Sequence, residues 1–489
     1  MNNTLSADRP QTDPAQDLFG YAPFAETLTK ALCNYGSSDP LVLGLYGAWG
    51  SGKSTILKFI CHNLEAMPKE ERPIVIEFNP WWFSGQEHLA RAFLGQLQAV
   101  LPDKNEAFKE LGEMLGNFSE GIGGLLDLAG ITGGMGEKAG ALIKTFTERP
   151  PKDVPALKKK ICDILQLSEK RIVIMIDDID RLDAEEMRQL FTVIKALADF
   201  PNVIYLLAFD IDVVVRAIEK SSGMPGREYL EKIIQAPFVV PEVNRAALVA
   251  GLRKRLDEIL EGTPEELCKQ SYWDSLFYEG IEHFFTVPRD VVRFCNTVTV
   301  TYSAVRGEVN AADFIAIEAI RFFLLDLYMY IRDNQYEFIC NYDKEQISEQ
   351  ELNSVLTKRV PESFLTCTEK ILKILFPYII KGNRTIGSAI RRGLHIQILE
   401  FAPCYFRFNP SPKTISHAEM MQWLEKAGDA EAFKADLLRA NERDPLRGHQ
   451  RLEKLQDYVR NDVQEKDIYI QRLSLCLIWL ISSIMKPLL

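Results

Sequence analysis

The sequence predicts an α/β domain built on a doubly wound parallel sheet, followed by a helical C-terminal region. Three observations carry this. Short and almost wholly apolar runs, LVLGLYG (41–47), IVIEF (74–78), RIVIMI (171–176), VIYLLAF (203–209) and FVV (238–240), have the character of parallel strands covered by helices on both faces. Helical spacing follows the first run at once, over 53–67, which is the strand, loop, helix unit of nucleotide-binding α/β folds. From residue 244 onward helical periodicity continues with no further strand.

The 489 residues exceed the size at which one hydrophobic core keeps growing, so two or three domains are expected. Residues 1–16 read as a flexible tail, and an amphipathic helix follows over 23–34. The α/β core spans 17–243 and carries a helical insertion at about 84–168, which includes the glycine-rich stretch GIGGLLDLAGITGGMGEKAG. A helical lid at 244–300 and a helical C-terminal domain at 301–489 complete the expected organisation.

Composition narrows the function. With 47% hydrophobic and 26% charged residues the chain has the makings of a compact core. A net charge of -11 does not support nucleic-acid binding through the bulk field and leaves room only for a local basic groove. Nine cysteines are scattered without a CxxC pair, the pattern of reduced thiols and neither a zinc site nor a disulfide framework. The polar N-terminus lacks a basic region followed by an apolar stretch, so a secretory signal is not expected and the expected location is cytoplasmic. No membrane span is expected either: the stretch 121–146 is interrupted by charges, and the uncharged run 473–485 has 13 residues against the roughly 20 needed to cross a bilayer.

The chemistry begins at Gly47, Ala48, Trp49, Gly50, Ser51, Gly52, Lys53 and Ser54, which match GxxxxGK[ST], the phosphate-binding P-loop. Its position after an apolar run and at the start of a helix is what the mechanism requires. Glycines let successive N–H groups point at phosphates, and the helix N-terminus adds its partial positive charge. Lys53 would reach the β and γ phosphates of ATP, Ser54 would ligate Mg²⁺, and Thr55 is placed to touch the α phosphate.

An acidic partner lies downstream. The run IVIMI ends in Asp177, Asp178, Ile179, Asp180 and Arg181, which sets adjacent carboxylates at the C-terminal tip of a buried strand, where open α/β sheets bind ligands. Asp177 should hold the Mg²⁺ shell. Asp178 is the better candidate to orient and deprotonate the attacking water, the alternative being a turn residue that caps the next helix. Asp180 and Arg181 suit a local ion pair as well as a chemical role.

These residues, with EFNPWWFSGQEHL (77–89) after the second strand and the helical insertion between the two nucleotide motifs, resemble the KAP family of P-loop NTPases over roughly 17–300. The Phe78-Asn79-Pro80-Trp81 turn combined with the Asp177–Arg181 segment is the specific part; the phosphate loop is generic. The resemblance implies that Asp17-Leu18-Phe19-Gly20-Tyr21 lies near the adenine, with Phe19 and Tyr21 as cofactor contacts. It implies a γ-phosphate sensor at Asp210 and an arginine brought from the lid at Arg289, against the simpler readings of a helix cap and a helix start. Arg216 or Arg227 is a candidate arginine finger toward a neighbouring subunit. Many members carry membrane spans in the insertion, and here its charges do not fit one. Bacterial members often act in phage defence beside separately encoded effector proteins.

Beyond these motifs the sequence is quiet. Trp81, Trp82 and Phe83 cannot all enter one core, so one or two should face a partner, the insertion or the lid. Six isolated histidines read as ordinary core or surface residues, and Arg384, Arg391 and Arg392 beside CYFRF (404–408) read as a solvated helix face before a single-strand grip. The expected function is an ATP- and Mg²⁺-dependent hydrolase acting as a homo-oligomeric switch or motor on a partner. The competing readings are a nucleotide-gated sensor with little turnover, a nucleic-acid-stimulated translocase and a small-molecule kinase.

Overall fold

A computed structural model of the chain describes residues 5, 7–84, 89, 92–93, 95–97, 154–166, 168, 170–197, 199–339, 348–377 and 388–408. The glycine-rich stretch of the expected insertion, the apolar run 473–485 and Arg384 lie outside the described residues. The chain forms two compact units, Arg9–Ala247 and Leu248–Leu489 together with Met1–Asp8.

The first unit runs α1 (Ala22–Asn34), β1 (Leu41–Tyr46), α2 (Lys53–Glu65), β2 (Ile74–Phe78), α3 (Val154–Gln166), β3 (Ile172–Ile176), α4 (Ala184–Leu197), β4 (Val203–Phe209), α5 (Ile211–Ser222), α6 (Gly226–Glu231) and β5 (Ala236–Val239). The strands form one sheet in the order β2-β3-β4-β1-β5. Every neighbouring pair is parallel. This is the doubly wound α/β fold that the apolar runs predict.

Both faces are buried, and the period of two explains why the strands do not alternate in polarity. Ile172, Ile174 and Ile176 of β3, with Tyr205, Leu207 and Phe209 of β4, pack on Ile161 of α3, Phe191 of α4 and Val214 of α5. The intervening Val173, Met175, Ile204 and Leu206 pack on the opposite side against Leu28 of α1 and Phe59 and Ile60 of α2. Each such large side chain contributes about 1.5–3 kcal/mol by leaving water. The last strand differs from the expected 238–240: it begins at Ala236 and includes Pro237. Proline has no N–H for a ladder, yet among the described residues β5 pairs with β1 alone and lies at the sheet edge, where that loss is tolerated.

Helix ends follow local chemistry. Asp183 and Glu186 cap α4 reciprocally: Glu186 N–H donates to Asp183 Oδ1 at 2.8 Å, and Asp183 N–H to Glu186 Oε2 at 3.0 Å. Asp17 accepts from the N–H groups of Phe19, Gly20 and Ala22, which fixes the entry into α1.

The second unit is helical among the described residues. Its elements include α7 (Arg245–Leu260), α8 (Gln270–Glu279), α9 (Pro288–Val305), α10 (Ala311–Phe323), α11 (Leu325–Asp333), α12 (Glu349–Arg359) and α13 (Leu365–Leu375). Residues 311–320 of α10 are all buried, the mark of a central helix surrounded by others. Its two buried carboxylates are satisfied. Asp313 accepts from Tyr272 Oη at 2.6 Å and from Ile396 N at 2.9 Å, and lies 2.9 Å from His395 Nδ1; Glu318 pairs with Arg321 and accepts from Thr301. His395 is thus a core histidine. Arg391 pairs with Glu400, and Tyr405 and Phe406 are buried, so these aromatics offer no stacking platform to a nucleic acid. Among the described residues, no helix is long and apolar enough to cross a membrane.

Burial makes a direct prediction for the thiols. Desolvation pushes Cys61 of α2 and Cys295 of α9 up to about 12, so neither forms the reactive thiolate at neutral pH. Iodoacetamide at about pH 8 should leave both unlabelled in the folded protein and label both after unfolding, read by peptide mass mapping. Rapid labelling of Cys61 in the folded protein would contradict its place between α2 and the sheet.

Candidate nucleotide site

Parallel strands deliver their carboxyl ends to one edge of the sheet, and the sequence motifs meet there. The phosphate loop leaves β1, Asn79 follows β2, Asp177 follows β3 and Asp210 follows β4. Gly47 N–H donates to Phe209 O at 3.2 Å, tying the start of the loop to the end of β4.

The loop needs its glycines. Gly50 (φ 82°) and Gly52 (φ 98°) both adopt the left-handed region. A Cβ on Gly52 would also lie 2.6 Å from the Tyr21 ring. Tyr21 is buried beneath the loop, and its hydroxyl donates to Ser51 O at 2.7 Å. Phe19 lies beside it, ring centroids 6.3 Å apart. Tyr21, which the resemblance sets near adenine together with Phe19, therefore supports the phosphate loop at Ser51, with its ring packed in the core.

Lys53 opens α2 with only 8% of its surface exposed. A buried ammonium must be paired. Its Nζ donates to Gly47 O at 2.8 Å and Ala48 O at 3.2 Å, and lies 3.4 Å from Asp180 Oδ2. The same Asp180 oxygen accepts from Asp210 N–H at 3.0 Å, so Asp180 bridges the lysine and the end of β4. Asp210 itself caps α5, its Oδ1 accepting from Asp212 N and Val213 N.

Ser54 and Asp177 meet across the site. Ser54 Oγ donates to Asp177 Oδ2 at 2.5 Å. Desolvation raises the Asp177 carboxyl above its ordinary value, opposed mainly by the Ser54 hydrogen bond. Asp178 adopts the left-handed region (φ 57°) and presents its carboxylate to two groups. Asn79 Nδ2 donates to Oδ2 at 2.7 Å, and Arg181 Nε lies 2.6 Å from Oδ1.

The donor chemistry fits a nucleotide triphosphate with a hard divalent cation. Ser51 Oγ is buried without a partner, an orphan that a phosphate oxygen would satisfy. The first N–H groups of α2 are free of intrahelical partners by geometry. A hydroxyl and one carboxylate, completed by phosphate and water oxygens, are the sparse protein set that Mg²⁺ takes.

The KAP family P-loop domain matches residues 21–305, more than half of the chain. The chain belongs to the KAP family of P-loop NTPases. The phage T7 exclusion protein of Escherichia coli (strain K12) is 23% identical to it over 344 residues, 65% of this chain and 46% of that one, so the chain spans about half the length of that relative. Among solved structures, a Walker-type ATPase of Pyrococcus abyssi shares 16% identity over 78% of this chain and 95% of its own, with a TM-score of 0.34. The Aeropyrum pernix ORC2 protein shares 13% over 72% and 93%, with a TM-score of 0.32. At these scores the family match alone carries the assignment.

Other candidate residues of this KAP protein have partners of their own. Arg216 Nε donates to Asp212 O, and exposed Arg227 lies 3.4 Å from Asp212 Oδ1, a weak surface pair. Arg289, in the second unit, pairs with Asp8 at 2.7 Å. Asn79, which grips Asp178, escaped the sequence reading as a site member, and its signal was its place in the family-specific turn. Asp180, left open there between a local ion pair and a chemical role, lies against Lys53. In the aromatic turn Phe83 stacks on Phe78, whereas Trp81 and Trp82 remain 48% and 74% exposed.

Two outcomes follow. Gly52→Ala should abolish nucleotide binding, a loss of about 100-fold or more in Kd by calorimetry, because the left-handed backbone and the Tyr21 ring both resist a side chain. For Asp177 the folded-state value lies above the unfolded one, so the native state binds the extra proton. Its stability cost is absent below the unfolded value and present above the raised one. Asp177→Asn should raise the Tm of metal-free protein at neutral pH, with the gain vanishing as pH falls into the ordinary carboxylate range, read by scanning calorimetry. A gain that grew toward acid pH would refute the buried-charge account.

Proposed function

We propose that this KAP NTPase binds ATP with Mg²⁺ and hydrolyses it, and that the cycle drives an oligomeric switch acting on a separately encoded effector. The observation that carries the hydrolytic reading is the Ser54 Oγ–Asp177 Oδ2 pair at 2.5 Å, with Lys53 and Asp178 at the same strand ends. Lys53 would exchange its carbonyl partners for the β and γ phosphates, and Thr55 in the first turn of α2 would donate to the α phosphate. Ser54 and Asp177 would hold the metal, which stabilises charge on the phosphoryl oxygens. Asp178 orients the water and takes its proton. Asp210, at the end of β4, is assigned to sensing the γ phosphate.

Residues 17–243 then form the hydrolytic core, 244–300 a lid and 301–489 a partner-binding helical domain. Arg289 would serve the nucleotide from the lid by leaving Asp8, and exposed Arg227 or Arg216 would reach a neighbouring subunit. The name of the Escherichia coli relative, a phage T7 exclusion protein, supports a role in phage defence, and a cytoplasmic location suits that role.

Steady-state hydrolysis with Mg²⁺ tests this. Wild type should turn over ATP, Lys53→Ala should lose binding, and Asp178→Ala should bind ATP with kcat reduced by about 10²–10⁴-fold. Light scattering should show a rise in mass with ATP. Tight ATP binding without turnover, alone or with added DNA or RNA, would replace the hydrolase reading with a nucleotide-gated sensor.

A further inference from the structure

Arg181 touches the phosphate loop, the aromatic turn and the carboxylate of Asp178 at once. Its guanidinium carbon lies 4.8 Å from the ring centroid of Trp49 and 5.0 Å from that of Trp81. Its Nε lies 2.6 Å from Asp178 Oδ1, while Asn79 Nδ2 holds the other oxygen at 2.7 Å. A planar guanidinium stacks through its faces and pairs through its edge at the same time, which a lysine ammonium does not do.

We propose that Arg181 is a positioning residue that couples occupancy of the phosphate loop to the orientation of Asp178. This rests on the reading of Asp178 as the group that orients the attacking water. Lys53 Nζ is bonded to the carbonyls of Gly47 and Ala48, so moving that ammonium onto phosphates releases the peptide that precedes Trp49. Trp49 lies between that peptide and Gly50, whose left-handed backbone gives the loop its shape. A change there is felt by the stacked guanidinium and, through its ion pair, by the carboxylate. Trp81 ties Arg181 to the turn after β2. Asn79 Oδ1 accepts from Trp81 N at 3.0 Å while its Nδ2 holds Asp178, so turn and carboxylate share one support.

The chain has six tryptophans, so the response of Trp81 must be isolated as the difference between proteins with and without Trp81→Phe, which keeps a ring on the guanidinium. In the full-length protein, Mg-ADP should change Trp81 emission in the Arg181 wild type and not in Arg181→Ala, although Arg181→Ala binds Mg-ADP within about threefold of wild type. For ATP, kcat of Arg181→Ala should fall about tenfold or more with KM nearly unchanged. Arg181→Lys keeps the charge without the stack, and should retain part of kcat while losing the emission response. Wild-type kcat in Arg181→Ala, or an unaltered Trp81 response, would overturn the proposal, as would loss of Mg-ADP binding in both variants. If wild type binds nucleotide but does not hydrolyse it, the hydrolase reading fails alone, and the emission comparison still decides the coupling.

Discussion

All five strands run the same way, and most of the candidate site depends on that constraint. A parallel strand can be joined to its neighbour only through a crossover, so each strand must be covered by helices and each carboxyl end opens onto the same edge. The phosphate loop, Asn79, Asp177 and Asp210 come from segments separated by up to 163 residues, the span from 47 to 210, and yet lie at adjacent strand ends. Burial of both faces supplies the driving force. The loops that emerge from it carry polar groups that the core would not accept.

Those polar groups are arranged as a closed electrostatic network. Lys53 is nearly buried and is paired to two carbonyls and to Asp180, which is itself held by the backbone of Asp210. Asp177 is desolvated and steadied by Ser54. Asp178 is gripped on both oxygens. Lys53 and Asp178 are each paired with an opposite charge, whereas Asp177 is held only by hydrogen bonds, so a phosphate at Lys53 would replace existing partners and a metal at Asp177 would supply the opposite charge it lacks.

The helical unit follows the same rule in its own core. Asp313 and Glu318 of α10 are wholly buried; Asp313 is matched by hydrogen bonds from Tyr272 and Ile396, and Glu318 by Arg321 of the same helix and Thr301 of α9. Such pairing stabilises little beyond an apolar equivalent, but losing one partner is costly, which fixes how α10 and the segment around His395 pack.

The sequence by itself determined the strands, the phosphate loop and the carboxylate pair, because apolar runs, glycine spacing and acidic strand ends are local signals that need no knowledge of neighbours. It also identified the family, through two short segments whose combination is specific. What only the tertiary structure decided are the contacts between segments. Asn79 meets Asp178 across 99 residues, and Ser54 meets Asp177 across 123. Tyr21 turned out to support the loop at Ser51, since burial under the glycines is invisible in an N-terminal motif. The role of the aromatic turn was also undecidable from composition: which of three adjacent rings enters the core, and which stacks on Arg181, depends on the angle at which the turn leaves β2.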